Sequence, residues 1–350
     1  MADSSSNSLF IKPIYIAFAI AFTFLISSPI GSYAFTAQNV IDSPLLTKKI
    51  GTNRTIKVDI NGNGEFKSIQ AAVDSVPEGN SQWMIIHVRK GIYREKVHIP
   101  SSKPYIFLRG NGKGRTSIVW SQSSSDNVES ATFKVEAHNF IAFGVSFKNE
   151  APTGVAYTSQ NQSVAAFVAA DKIAFYHCGF YSTHNTLFDY KGRHYYDKCY
   201  IQGSIDFIFG RGKSVFHNCE MFVIDDKRLT IRGSITAQNR KSANENSGFV
   251  FIKGKVYGVG GTYLGRAKGA FSRVIFAKTY FSISVVPAGW TNWSHVGSTE
   301  NLYHGEYDCY GPGSESGNRA PWAKQLTKEE ATPFMEVTFI DGTDWLPAWL

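Results

Sequence analysis

The sequence predicts an all-β protein, a right-handed parallel β-helix with a short N-terminal capping helix, and three observations carry that expectation. An aromatic residue followed three positions later by cysteine recurs at Phe175/Cys178, Tyr196/Cys199 and Phe216/Cys219, with the cysteines 21 and 20 residues apart. Short β-branched and aromatic runs, separated by Gly, Asn, Asp and Ser, fill the chain from about residue 83 to about 285 with no further helical periodicity. The composition, with 26 Phe, 17 Tyr, 7 Trp and 31 Gly in 350 residues, leans the same way. In a solenoid of period near twenty no coil can bury its own apolar face, and stacking makes one continuous core. A β-sandwich is the fallback architecture.

Taken in order, the chain opens on a targeting pattern. Lys12 precedes the apolar run Ile14–Ile26, and Ser32-Tyr-Ala34 supplies the small residues of a cleavage site, so residues 1–34 read as a signal peptide. The run is too short for a membrane span of roughly 20 residues, and an uncleaved anchor is the lesser reading. No later stretch is long and apolar enough to cross a membrane. Residues 35–52 are a short, polar N-terminal segment, and 53–350 form one β-helix domain. Ile56-Lys-Val-Asp-Ile60 alternates as a strand, and Asn61-Gly-Asn-Gly64 is a turn. Ile69, Ala72, Val73 and Val76 then fall at helical spacing before Pro77, giving the capping helix. Trp83–Val88 is a continuous apolar strand. Phe133-Lys-Val135 with Ile141-Ala-Phe143, and Phe167-Val168 with Ile173-Ala-Phe175, are related rungs.

The net charge of +8 favours an anionic partner. The cations are scattered, with no Lys/Arg block of the kind that marks nucleic-acid binding, and an acidic polysaccharide suits the charge as well. Asn53-Arg-Thr55, Asn161-Gln-Ser163 and Asn292-Trp-Ser294 are glycosylation sequons in a secreted chain. Cys178, Cys199, Cys219 and Cys309 allow three complete disulfide pairings, and sequence selects none. No two cysteines are spaced as zinc ligands, and the sequence points to no metal or organic cofactor.

The stretch Cys199–Gly210 places one acid, Asp206, among Ile205, Phe207, Ile208 and Phe209. A carboxylate there must be hydrogen-bonded or paired with a cation, or turn to water. Residues one coil apart lie roughly 5 Å from each other on adjacent strands. Asn185 and Asp206 are 21 residues apart, and Gln162 and His184 are 22 apart, so these side chains gather into one polar row. That row is either a site or a solvated ladder.

The chain also resembles the plant pectinesterases (pectin methylesterases), in their short form without an inhibitor-like pro-region. The resemblance covers nearly all of the mature chain. It runs through Gly64–Asp74, Gly91-Ile-Tyr-Arg-Glu95, Asp206-Phe-Ile-Phe-Gly210, Tyr263-Leu-Gly-Arg266, Pro287–Trp293, and Phe339–Gly342 with Trp345-Leu-Pro347. It implies a monomeric wall enzyme, secreted to the plant apoplast, that cleaves the methyl esters of homogalacturonan, with pectin and a proteinaceous inhibitor as partners. By the same resemblance Asp206 is the nucleophile, Arg266 its partner, and Gln162 an oxyanion donor. Trp290 is either a cleft aromatic for sugar stacking or a packing aromatic, and Tyr93 and Glu95 are structural.

Departures from the family pattern bear on the chemistry. Asn185 stands where the family has the aspartate that protonates the leaving methoxide, and an amide cannot exchange that proton. His184 replaces a glutamine of the oxyanion hole and could donate to the oxyanion or take over proton transfer, but only if a bend turns it to the site, since neighbouring strand residues face opposite ways. Lys268 replaces a tryptophan, and Glu150 places a negative charge where the anionic substrate would lie. The readings are a working esterase impaired by Asn185, or a non-catalytic pectin-binding homologue. A lyase or polygalacturonase is disfavoured, because neither a calcium-binding acidic cluster nor paired catalytic aspartates are evident.

Overall fold

The repeating aromatics of the sequence stack ring on ring along the inside of a parallel β-helix. The computed structural model describes residues 41–52, 54–151, 162–226 and 232–350, and residues 41–350 belong to one compact unit. The stretch 1–34 read as a signal peptide and the sequons at Asn53 and Asn161 lie outside the described residues, whereas Asn292 is exposed. Phe175, Tyr196, Phe216, Phe251 and Phe276 are register partners on five successive parallel strands. Their ring centroids lie 5.3, 4.5, 4.5 and 4.4 Å apart, with planes within 12° of parallel. Each ring buries a large apolar area, and contact with the next coil adds to it. Among the described residues the strands form one 11-stranded sheet and two 8-stranded sheets, each strand pairing with its counterparts one coil before and after.

A sharp corner follows most strands of the large sheet. His177, Lys198, Asn218, Lys253, Lys278 and Asp308 occupy this corner on successive coils with φ between 49° and 57°. A left-handed backbone at a non-glycine residue costs on the order of 1–2 kcal/mol, and stacking of the coils holds each one in place. In four coils the next residue is cysteine. The sequence left disulfide pairing open, and all four cysteines are free thiols. Each donates to a main-chain carbonyl of the preceding coil or its own: Cys199 Sγ to Phe175 O at 3.4 Å, Cys219 Sγ to Tyr196 O at 3.4 Å, Cys178 Sγ to Tyr176 O at 3.4 Å. Burial drives the thiols of Cys178 and Cys199 well above the ordinary range.

The capping helix spans Ile69–Asp74 and buries Ile69, Ala72 and Val73 against the first coil. Its N-terminus is held by Glu95, whose carboxylate accepts from Ile69 N–H at 2.7 Å, Gln70 N–H at 3.0 Å and Ser68 Oγ at 2.7 Å. A carboxylate on exposed helix N–H groups answers both their hydrogen bonds and the helix dipole. Tyr93 is buried, with its hydroxyl donating to Arg89 O at 3.0 Å. Three further helices depart from the expectation. Asn127–Ser130, a single turn capped by Asp126, interrupts the stretch read as strands alone. Ser43–Ile50, capped by Asp42 and closed by Gly51 at φ 70°, lies within the segment 35–52 read only as short and polar, and Lys328–Met335 begins with a Thr327/Glu330 capping box. Leu46, Ala331, Ile340 and Leu346 from these terminal regions join Ile85, Phe107, Tyr176 and Tyr195 in a second apolar cluster, on the outer face of the large sheet.

Candidate active site

Asp206 sits at a corner where the chain passes into the next sheet, with φ 47°. That turn leaves Ile205 and Phe207 buried, at 1% and 0% exposure, while the carboxylate between them reaches a cleft. Gly203 makes the bend feasible, since a Cβ there would lie 2.2 Å from Cβ of Phe207. The Asp206 carboxylate is nearly buried, and its neighbours meet its charge. Arg266 Nε donates to Oδ1 at 2.8 Å and Oδ2 at 2.9 Å, Arg266 Nη2 donates to Oδ2 at 2.6 Å, and Ser234 Oγ donates to Oδ1 at 2.6 Å. A forked, charge-assisted contact fixes orientation as well as charge. Arg266 is fixed in turn, with Nη1 donating to Ser294 Oγ at 2.8 Å and its guanidinium 4.9 Å from the ring centroid of Trp293.

The cleft above this pair has a volume of about 300 Å³. Gln162, Asn185, Phe188, Arg211 and Lys268 line it with Asp206 and Arg266. Gln162 is held by paired main-chain bonds to Ser124, at 3.0 and 2.9 Å. Asn185 occupies the corner equivalent to Asp206 one coil earlier, at φ 56°, and its Nδ2 donates to Asn127 Oδ1 at 3.1 Å. The polar row inferred from the 21-residue spacing therefore faces the cleft at both of these positions. The Lys268 ammonium is held below the usual lysine range, first by partial desolvation in the cleft wall and then by the charge of Arg266, with Asp206 acting in the opposite direction. Among the described residues, no cluster of three or more His, Cys, Asp or Glu side chains is arranged to hold a metal.

Three candidate residues lie elsewhere. His184 does not line the cleft. It is buried on the other side of the corner, with Nε2 3.2 Å from Asp226 Oδ2, because the left-handed turn sends Asn185 to the cleft and leaves its predecessor facing away. Trp290 is a core residue at 1% exposure, with Nε1 donating to Glu306 Oε1 at 3.0 Å and its ring stacked 4.5 Å from His304. Of its two alternative roles, packing is the one observed. Glu150 is exposed outside the cleft lining, 3.4 Å from Arg94, so its charge is shared with a cation and not directed at the cleft.

The sequence reading passed over Ser234, Trp293 and Asn127. Ser234 precedes by two residues the register partner of Ile208, Thr236, and so sits one coil beyond Asp206. The interval is 28 residues, not about 21, and period counting steps over it. Trp293 is 40% exposed and lies against Arg266. Its place three residues after Trp290 was the available signal.

Comparison with known proteins bears on the family and the fold. Residues 55–343 match the pectinesterase family model. An Arabidopsis thaliana protein named "Probable pectinesterase 67" is 66% identical over 332 residues, covering 95% of this chain and 96% of that one. Pectinesterase QRT1 of the same plant is 40% identical over 306 residues, covering 84% of this chain and 79% of that one. Among solved structures, pectin methylesterase from carrot superposes with a TM-score of 0.78 at 30% identity, covering 85% of this chain and 95% of its own.

Proposed function

Since the chain belongs to the pectinesterase family, we propose that it is a secreted pectin methylesterase, hydrolysing methyl esters of wall homogalacturonan to carboxylates and methanol. The observation that carries this reading is the buried Asp206–Arg266 pair on the floor of the cleft. A carboxylate is a competent nucleophile when it is paired with a cation and aimed, and the guanidinium fork does both. Asp206 attacks the ester carbonyl, and the Gln162 amide donates to the oxyanion that develops. Collapse of the tetrahedral intermediate expels methoxide and leaves an acyl-aspartate that water opens. The site residues belong to this proposal, as do signal cleavage at 34, apoplastic location, glycosylation, a monomeric state and an inhibitor partner.

Asn185 favours a second reading, a pectin-binding homologue without catalysis. Its amide faces the cleft but cannot carry a proton, and His184 is engaged by Asp226 away from it. Methanol release from highly methylated pectin separates the two readings. Activity in the parent that disappears in Asp206→Ala supports the esterase. A silent parent awakened by Asn185→Asp supports the binding protein. Silence in both discards the esterase chemistry.

A further inference from the structure

The esterase chemistry has an unmet need within this cleft. Expulsion of methoxide requires a proton, and opening of the acyl-enzyme requires its removal from water. Among the described residues, the titratable side chains lining the cleft are Asp206, Arg266, Arg211, Tyr190 and Lys268. Asp206 is consumed as the nucleophile. Both arginines stay protonated in proteins; Arg266 is gripped by Asp206, and Arg211 lies 3.8 Å from Glu245 and over the Tyr190 ring. Lys268 remains. It stands two residues beyond Arg266, so the chain itself fixes it near the guanidinium that holds the nucleophile, and it faces the same cleft. No hydrogen bond or ion pair engages its ammonium among the described residues.

Building on the esterase reading, we propose that Lys268 is the proton carrier of the reaction. As the ester C–O bond breaks, an N–H bond of the ammonium breaks and methanol forms, leaving a neutral amine. Water then attacks the acyl carbonyl and gives its proton to that amine as the Asp206–acyl bond breaks. The ammonium and the Asp206 carboxylate are thereby restored, and the new galacturonic acid releases its proton to solvent. The charged groups facing Lys268 are Arg266, which favours the neutral amine, and Asp206, which favours the ammonium; Arg211 adds positive charge in the same cleft, and the Tyr190 phenol lines it too. Partial desolvation is the larger influence and Arg266 adds to it, bringing the amine form nearer to working pH than an ordinary lysine permits.

Lys268→Arg tests the assignment, because it keeps the positive charge that binds an anionic chain but cannot release a proton. Parent, Lys268→Arg, Tyr190→Phe, Asn185→Asp and the Asn185→Asp/Lys268→Arg double variant are assayed for methanol release across pH, with thermal melts to confirm folding. The expected loss in Lys268→Arg is about 10²–10⁴-fold in kcat, with KM little changed and the alkaline limb of the parent profile gone. In the double variant the carboxyl introduced at position 185 replaces the amine, and much of the rate returns. Near-parental kcat in Lys268→Arg overturns the proposal, as does an equal loss in Tyr190→Phe. A silent parent with an active Asn185→Asp variant also overturns it while leaving the esterase scaffold standing, and silence in both removes the esterase reading itself.

Discussion

Replacing Arg266 by Gln strands a carboxylate. Asp206 and Arg266 are both about 4% exposed or less at the side chain, and the guanidinium makes three hydrogen bonds to the carboxylate. The Ser234 hydroxyl stays in place after the change but brings no charge. Removing one partner of a buried pair costs about 3–5 kcal/mol, because the remaining charge has lost its counterion and meets little water. Urea slopes for small proteins reach about 3 kcal/mol per molar, so the unfolding midpoint at pH 7 should fall by about 1–1.7 M. Adding Asp206→Asn should recover at least half of that loss, since removing both charges together leaves neither stranded. Urea titrations of parent, single and double variants followed by tryptophan fluorescence measure this directly. A single variant within about 1 kcal/mol of the parent, or a double variant no better than the single, would refute the reasoning that the pair is desolvated and coupled.

Three other outcomes are expected. Phe216→Ala opens a gap in the aromatic stack between Tyr196 and Phe251 and should cost about 3–5 kcal/mol, read as a lower melting temperature; a change near zero would mean that the stack does not bear on stability. His304 is buried and stacked on Trp290, and burial, with His295 adding to it, depresses its pKa to about 3. The unfolded chain then binds a proton that the folded one refuses between pH of about 6.5 and about 3, so this contribution is full above that window and is lost as pH falls through it, at up to about 1.4 kcal/mol per unit; urea midpoints from pH 7 to 4 should fall less steeply in His304→Gln, and equal slopes would discard the account. With all four cysteines free, reductant should leave the melting temperature unchanged, and alkylation of the unreduced, unfolded protein should label every cysteine; protected thiols would show a disulfide.

The fold was legible because a solenoid writes its period into the chain. Phe175, Tyr196 and Phe216 recur at the interval that puts them in register, and the capping helix announces itself by spacing before Pro77. The same arithmetic brought Asn185 beside Asp206. It failed where a coil changes length, so Ser234 went unseen, and where a corner breaks the alternation of a strand, so His184 was offered to a cleft it does not face. Trp290 and Trp293 show a third limit. Only the tertiary partners decide between them: Glu306 and His304 draw Trp290 inward, and Arg266 takes Trp293. The Ser43–Ile50 helix was hidden for a related reason, since eight residues with one fully buried leucine are stabilised by the sheet they cover more than by their own pattern.

The corner at 185 separates shape from chemistry. Asn and Asp are close in size and both tolerate a left-handed backbone, so φ 56° imposes no strain on exchanging one for the other. The present amide donates to Asn127 Oδ1, and its own Oδ1 has no hydrogen-bond partner among the described residues. An aspartate at this position would meet the Asn127 oxygen as a repulsive neighbour until that side-chain amide turns over and presents its nitrogen, a rearrangement that needs no change of backbone. The second carboxylate beside Asp206 adds repulsion, which Arg211 and Lys268 across the same cleft oppose. Asn185→Asp should therefore stay within about 1 kcal/mol of the parent, a shift of about 2–4 °C or less in melting temperature. A fall of ten degrees or more would show that the amide is needed to hold this corner together. Parental stability would mean that the asparagine withholds a proton and leaves the architecture of the cleft unaltered.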